Sequence, residues 1–140
     1  MTNESTQRYV GGCLCGALRY EAEGEPMFAG HCYCADCQKA SGSAFIPFMG
    51  FAASQLRFSG QSHTYRCRAF KGGEAARNFC PTCGSLVFGG VVGEDDQHTI
   101  YAGSLDDPSR FEPRIVIFNR NRPVWAPLPP DVTVFETMPE

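Results

Sequence analysis

The segment Cys80-Pro81-Thr82-Cys83-Gly84 decides how the chain folds, because it is typical of a tight turn that directs two cysteine thiolates to one point. Gly84 supplies the positive φ that such a turn needs. A structural zinc requires four ligands, so a second pair must come from elsewhere. Cys13 and Cys15, spaced i and i+2, can direct their thiols to one side. We therefore predict a structural zinc on Cys13, Cys15, Cys80 and Cys83.

A second cysteine group, Cys32-Tyr33-Cys34-Ala35-Asp36-Cys37, contains three thiols. Three protein ligands are the number that leaves one position open on a catalytic zinc. Such a site can still accept a thiol, water or a carbonyl oxygen, whereas a four-thiolate site is full. The pattern predicts a second zinc, with catalytic residues Cys32, Cys34 and Cys37 as its ligands.

The three-cysteine pattern also permits alternatives to a catalytic site. His31, next to Cys32, or a cysteine from another chain could close the group into a purely structural site, although a single histidine is more often a surface or hydrogen-bonded residue. A disulfide framework is another alternative. The N-terminal residues lack the apolar stretch of a secretory signal, so we expect a cytoplasmic location. There, cysteines more often bind metal or catalyse reactions than form disulfides.

Composition predicts a single domain over residues 1–140, with a core at about 11–125 and an extended proline-rich tail at 121–140 that Trp125 anchors. The 140 residues are 43% hydrophobic and 19% charged, which suffices for a core and argues against disorder. The net charge of −3 disfavours binding to nucleic acid. The most apolar run, residues 44–53, is too short to cross a bilayer. We therefore expect small-molecule partners, without nucleic acid or membrane.

Alternation of apolar and polar residues predicts a mostly antiparallel β fold with little helix. Leu18, Tyr20 and Ala22, for example, fall on one face of a strand. A single helical turn is predicted over residues 35–40, ended by the turn signal at 41–43. Further strands are predicted near residues 28–33, 44–51, 56–59, 64–69, 75–79, 86–88, 98–102 and 114–118.

The segment between residues 65 and 77 carries one isolated cysteine and several cations. Tyr65, Cys67 and Ala69 share one face of a predicted strand, so Cys67 is predicted to be a core residue. The cations could receive an anionic substrate, but a solvated strand face explains them nearly as well. They are Arg66, Arg68, Lys71 and Arg77.

Several motifs follow one another in a fixed order between residues 11 and 125. They are Gly11-Gly12-Cys13-Leu14-Cys15-Gly16 with Arg19-Tyr20, His31-Cys32-Tyr33-Cys34-Ala35-Asp36-Cys37 with Ser41-Gly42, Phe79-Cys80-Pro81-Thr82-Cys83-Gly84-Ser85, and Gly103-Ser104-Leu105-Asp106-Asp107-Pro108. Together they resemble the glutathione-dependent formaldehyde-activating enzyme family, which includes the centromere protein V domain. The resemblance implies a β-tent fold of small antiparallel sheets and the same two zinc sites. It also implies an activity that joins glutathione to formaldehyde, a carbon–sulfur lyase reaction in reverse.

These observations indicate two candidate functions. The first is a zinc-dependent carbon–sulfur lyase-like enzyme that acts on a thiol adduct, similar to S-(hydroxymethyl)glutathione synthase, with a thiol or aldehyde adduct, such as that of glutathione, as its partner. The alternative is a zinc-stapled β domain that serves as a non-catalytic binding module for a protein or a small molecule.

Overall fold

The computed structural model describes residues 8–139. Within this range the chain forms eleven strands and one α-helix, joined by turns and short 3-10 segments. The helix is α1 (Ala35–Ser41). The strands are β1 (Arg8–Gly12), β2 (Arg19–Glu23), β3 (Phe28–Cys32), β4 (Ile46–Ala52), β5 (Leu56–Ser59), β6 (His63–Arg68), β7 (Glu74–Phe79), β8 (Leu86–Gly89), β9 (Gln97–Tyr101), β10 (Ile115–Ile117) and β11 (Thr133–Val134).

The strands form two sheets. The smaller sheet has the antiparallel order β1-β2-β5, and the larger has the order β11-β10-β3-β4-β9-β8-β7-β6. The predicted mostly antiparallel class is confirmed, with one local exception: β10 runs parallel to both β3 and β11. Parallel neighbours need a long connection between them, and alternation within a strand carries no signal for that pairing.

The main core contains residues from both sheets and is built from alternate strand positions. Leu18, which directly precedes β2, and Tyr20 and Ala22 within it are 1%, 3% and 1% exposed, which confirms the predicted inner face. They pack in the same cluster as Phe51 of β4 and Phe88 of β8. Two cysteines of the predicted structural zinc site, Cys13 and Cys80, belong to this cluster as well.

All of the predicted strands overlap strands of the structure, and the predicted helix is α1. The sequence reasoning missed β1 and β11, because β1 is rich in glycine and β11 has only two residues. Short or glycine-containing segments lack the β-branched and aromatic alternation that identifies a strand. No helix in the described part of the chain is long and apolar enough to cross a membrane.

The C-terminal segment is held to the domain differently from the prediction. Trp125 is 72% exposed, so the prediction that it anchors the tail is wrong. The neighbouring Ala126 is buried instead, and the hydroxyl of Tyr33 donates a hydrogen bond to the carbonyl oxygen of Pro127 at 3.0 Å. Further along, β11 pairs with β10 and continues the larger sheet.

Candidate metal centres

The first cysteine group joins two turns that are far apart in sequence. In the second turn, the N–H of Gly84 donates to the carbonyl oxygen of Cys80 at 2.8 Å, and Gly84 has a φ of +79°, as the sequence predicts. The first turn follows β1, where the N–H of Gly16 donates to the carbonyl oxygen of Cys13 at 3.1 Å. The N–H of Leu14 binds the hydroxyl of Ser85 at 3.0 Å and so links the two turns.

The four thiols of this group are close enough together to bind one metal ion. All four sulfur atoms lie within 4.8 Å of one another, in the set Cys13, Cys15, Cys80 and Cys83. The sulfur of Cys15 is 3.7 Å from that of Cys13 and 3.7 Å from that of Cys80. A zinc–sulfur bond of about 2.3 Å places neighbouring sulfurs about 3.8 Å apart in a tetrahedron. All eight cysteines are free, so the disulfide alternative is not realised.

Backbone amides support the same group. The N–H of Leu18 donates to the sulfur of Cys13 at 3.2 Å, and the N–H of Thr82 donates to the sulfur of Cys80 at 3.3 Å. Hydrogen bonds to sulfur favour the thiolate. Those made by Ser85 through its side chain and backbone lower the pKa of Cys83 to about 5. The donor set and its surroundings therefore fit a zinc ion.

The second cysteine group lies where β3 ends and α1 begins. Cys32 is the last residue of β3, Cys34 is the N-cap of α1, and Cys37 lies in its first turn. The sulfur of Cys34 accepts a hydrogen bond from the N–H of Cys37 at 3.2 Å, so it takes the place of an ordinary capping oxygen. The three sulfur atoms lie within 4.8 Å of one another. The structure thus brings the predicted three-cysteine set together.

The titration of these three thiols also fits a cation site. Hydrogen bonds from Cys32 and Cys37 lower the pKa of Cys34 to about 2. The hydrogen bonds of Cys32 with Cys34 and Cys37, together with burial, raise the pKa of Cys32 far above its ordinary value. For Cys37, the hydrogen bond with Cys32 lowers the pKa, but the contact with Cys34 and burial raise it to about 11. Without a metal ion the group therefore holds one thiolate, on Cys34. A bound cation would stabilise negative charge on all three sulfur atoms.

His31 is not part of the three-cysteine group. Its ring stacks on Phe45 with centroids 4.0 Å apart and an interplanar angle of 20°, and it packs against Phe111 at 5.8 Å. Burial lowers its pKa to about 4, and its buried Nδ1 has no hydrogen-bond partner within residues 8–139. The histidine is thus a packed aromatic residue, and the alternative in which it completes the site is not supported.

Arg77 connects the three-cysteine group to Cys67, the cysteine that belongs to neither group. One guanidinium nitrogen, Nη2, donates to the sulfur of Cys37 at 3.6 Å, and Nη1 donates to the sulfur of Cys67 at 3.5 Å. Cys67 is half-buried, and its neighbour on the same strand face, Tyr65, is 62% exposed. The prediction that Cys67 is a core residue is therefore wrong. Cys67 instead lines a cleft, next to Arg77, on the edge strand of the larger sheet.

The three cysteines open onto a cleft of about 680 Å³. Its apolar wall includes Phe70, Ile117, Phe118 and Met138. Three of the four cations predicted as a group line it, together with one that the prediction missed: Arg68, Lys71, Arg77 and Arg120.

Arg66 differs from the cations of the cleft. It pairs with Glu74 at 2.7 Å and with Glu94 at 3.3 Å, and it does not line the cleft. Arg120 could not be predicted with the other cations, because it lies far from residues 66–77 in the sequence. That residue follows β10 and reaches the cleft through the pairing of β10 with β3.

Comparisons with known proteins agree with the motifs and the fold. The model of the family described as glutathione-dependent formaldehyde-activating enzyme matches residues 8–121. A crystal structure of a Rhodobacter sphaeroides protein superposes with a TM-score of 0.54 and 22% identity, covering 72% of this chain and 93% of that chain. At this identity the likeness shows the fold alone. Among curated proteins there is no significant match.

Proposed function

Because the chain belongs to the glutathione-dependent formaldehyde-activating enzyme family, we propose that it is a zinc-dependent carbon–sulfur lyase-like enzyme that acts on a thiol adduct. The proposed adduct is S-(hydroxymethyl)glutathione, formed from glutathione and formaldehyde. The observation that carries the proposal is the group of three cysteines, with three potential ligands and no fourth from the described chain, at the wall of a cleft.

The two cysteine groups have different roles in this proposal. Cys13, Cys15, Cys80 and Cys83 would hold a structural zinc that ties the β1–β2 turn to the β7–β8 turn. Cys32, Cys34 and Cys37 would hold a second zinc. When bound there, zinc supplies Lewis acidity at a position that protein ligands leave open.

Overall, the reaction forms one carbon–sulfur bond and transfers the thiol proton to the aldehyde oxygen. The residues of the chain orient the reactants for that step. Cys34 is held by the first turn of α1, and Cys37 is held by the guanidinium of Arg77. Ile117 and Phe118 present an apolar wall beside the sulfur atoms, which reduces access of water. Pre-oriented groups lower the entropic cost of bringing a thiol and an aldehyde together.

The decisive experiment compares turnover and folding in Cys34→Ser. We expect formation of the glutathione–formaldehyde adduct, followed by NMR exchange spectroscopy against the uncatalysed rate, to fall to background. Circular dichroism and the zinc of the four-cysteine site should be retained. Full activity in this variant would exclude the mechanism. If the native protein itself gives no rate above background, and glutathione at millimolar concentration leaves its melting temperature unchanged, the non-catalytic binding module is the better description.

A further inference from the structure

The cleft beside the three cysteines carries an excess of positive charge. Four cations line it, against one carboxylate, Asp36. Within residues 8–139, none of these four cations forms an ion pair, whereas Arg66 binds two carboxylates. The chain as a whole has a net charge of −3, so this local excess is not a consequence of overall composition. Unpaired cations around a concave surface attract an anionic ligand.

Three of these cations, Arg68, Lys71 and Arg120, are exposed, and the two that lie in turns, Lys71 and Arg120, define what we call the rim of the cleft. Lys71 is in the turn between β6 and β7, and Arg120 is in the 3-10 turn after β10. Both are exposed, whereas Arg77 is half-buried and donates its hydrogen bonds to sulfur. The cleft thus separates a sulfur-facing cation from cations that are free to meet a carboxylate.

The rim is built around an aromatic contact. The guanidinium carbon of Arg120 lies 5.7 Å from the ring centroid of Phe70, within the range of a cation–π interaction. Phe70 in turn packs edge-on against Phe118, with centroids 5.0 Å apart and an interplanar angle of 87°. These contacts bring the β6–β7 turn next to the segment after β10. Phe70 remains 58% exposed, which leaves an apolar surface beside the cation.

The backbone after β10 is fixed in an uncommon conformation that directs the chain to this rim. Phe118 has a φ of +58°, in the left-handed region that a residue with a side chain rarely adopts. Its N–H donates to the carbonyl oxygen of Thr137 at 3.0 Å, and the N–H of Arg120 donates to that of Glu136 at 3.3 Å. Backbone of this kind persists where surrounding contacts determine it, and it clusters at functional sites.

We propose that Lys71 and Arg120 form a carboxylate-binding subsite that determines which thiols the cleft accepts. The inference rests on the proposed function and deepens it. The substrate class is a thiol with at least one carboxylate remote from its sulfur, so that sulfur meets the cysteine group while the carboxylate meets the rim. A guanidinium is suited to this role because it binds a carboxylate through two hydrogen bonds. Neutral thiols lack this contact and bind more weakly.

The test separates binding from chemistry by using S-methylglutathione, a thioether that keeps both carboxylates but has no free thiol. Its affinity for the zinc-loaded protein is measured by calorimetry. We expect Arg120→Gln and Lys71→Gln each to raise Kd by about 3–10-fold, and added salt to weaken binding to the native protein. Arg66→Gln is the matched control, because this exposed arginine of the neighbouring strand lies outside the cleft; its Kd should stay within about twofold.

A second ligand, the diethyl ester of S-methylglutathione, tests whether the carboxylates are what the rim recognises. The ester should bind the native protein more weakly than the acid, and its Kd should be insensitive to Arg120→Gln. Unchanged affinity for the acid in both rim variants, or the absence of measurable binding to the native protein, would overturn the inference. If the protein forms the adduct but the rim variants bind the acid as tightly as the native protein does, the inference fails and the proposed function stands. Conversely, rim-dependent binding without any turnover leaves the inference standing and removes the lyase.

Discussion

Arg77 donates a hydrogen bond from Nη2 to the sulfur of Cys37 at 3.6 Å, although 40 residues separate the two along the chain. The contact exists because β7 and α1 both border the same cleft. The guanidinium is half-buried, and its Nη1 contacts Cys67. Burial opposes the charge of Arg77, but the hydrogen bond to Cys37 and the electrostatic influence of Tyr101, Cys37 and Cys67 raise its pKa above the ordinary value. Arg77 therefore stays a cation beside the sulfur cluster.

Replacing this residue should affect catalysis more than folding. Arg77→Lys keeps the charge but cannot donate to two sulfur atoms in a fixed planar arrangement. We expect kcat for adduct formation to fall by about 10-fold or more, because Cys37 loses its oriented donor. Arg66→Lys, on the neighbouring strand and outside the cleft, should keep the native kcat. Equal kcat values in both variants would show that Arg77 does not orient the site.

Elemental analysis should separate the two cysteine groups. Protein purified under reducing conditions without chelator should hold about two zinc ions per chain. Cys34→Ser and Cys80→Ser should each hold about one zinc ion. The first variant loses the ion of the three-cysteine group, and the second loses that of the four-cysteine group. Cys80 is 0% exposed in the core, so its variant should also lose at least about 4 kcal/mol of stability in denaturant unfolding. About one zinc in the native protein after zinc is supplied would leave the three-cysteine group without demonstrated metal affinity.

Zinc binding to the three-cysteine group should release protons. At pH 7, Cys34, with its pKa lowered to about 2, is a thiolate, whereas Cys32 and Cys37, with raised pKa values, keep their protons. Formation of a three-thiolate site therefore releases about two protons. Because protons compete with zinc, the affinity should fall as the pH falls.

Calorimetry in buffers of different ionisation enthalpy measures this proton release directly. The protein should carry zinc in the four-cysteine site only, so that the titration reports the second site. Cys37→Ser provides the control and should release about one proton, since one of the two protonated thiols is gone. Proton release equal in the native protein and in Cys37→Ser would contradict the assigned titration order.

The parallel contact of β10 with β3 should be sensitive to a single methyl group. A Cβ added at Gly30 would lie 2.3 Å from the carbonyl oxygen of Ile115, a backbone atom that cannot move aside. We expect Gly30→Ala to cost about 1–3 kcal/mol in the free energy of unfolding. Gly103→Ala is the matched control, because a Cβ there meets nothing within 4 Å and its change should stay below about 0.5 kcal/mol. Equal unfolding energies for the two variants would show that β10 can shift to accept the methyl group.

The family and the strands could be read from the sequence because both depend on local order. Cys32, Cys34 and Cys37 are neighbours along the chain, and the end of β3 followed by the cap of α1 brings their thiols together. The inner face of β2 follows from the alternation of Leu18, Tyr20 and Ala22. Such features need no knowledge of distant contacts.

The two incorrect residue predictions have a common cause. Cys67 and Trp125 are apolar in character, and apolar residues are buried on average. Their exposure depends on what lies opposite: the face of β6 borders a cleft, and the tail is held by Tyr33 and Ala126 instead. Periodicity identifies a face of a strand, but it does not reveal whether another element covers that face.

By itself, the sequence determined the family, the mostly β class and the two cysteine groups, because ligand spacing and alternation are properties of short segments. Only the tertiary structure decided which residues surround the second group. Arg77 from β7 and Arg120 from the turn after β10 come to one cleft through strand pairing across the large sheet. Contacts between distant segments depend on sheet order and crossover direction, and no local pattern of residues encodes these.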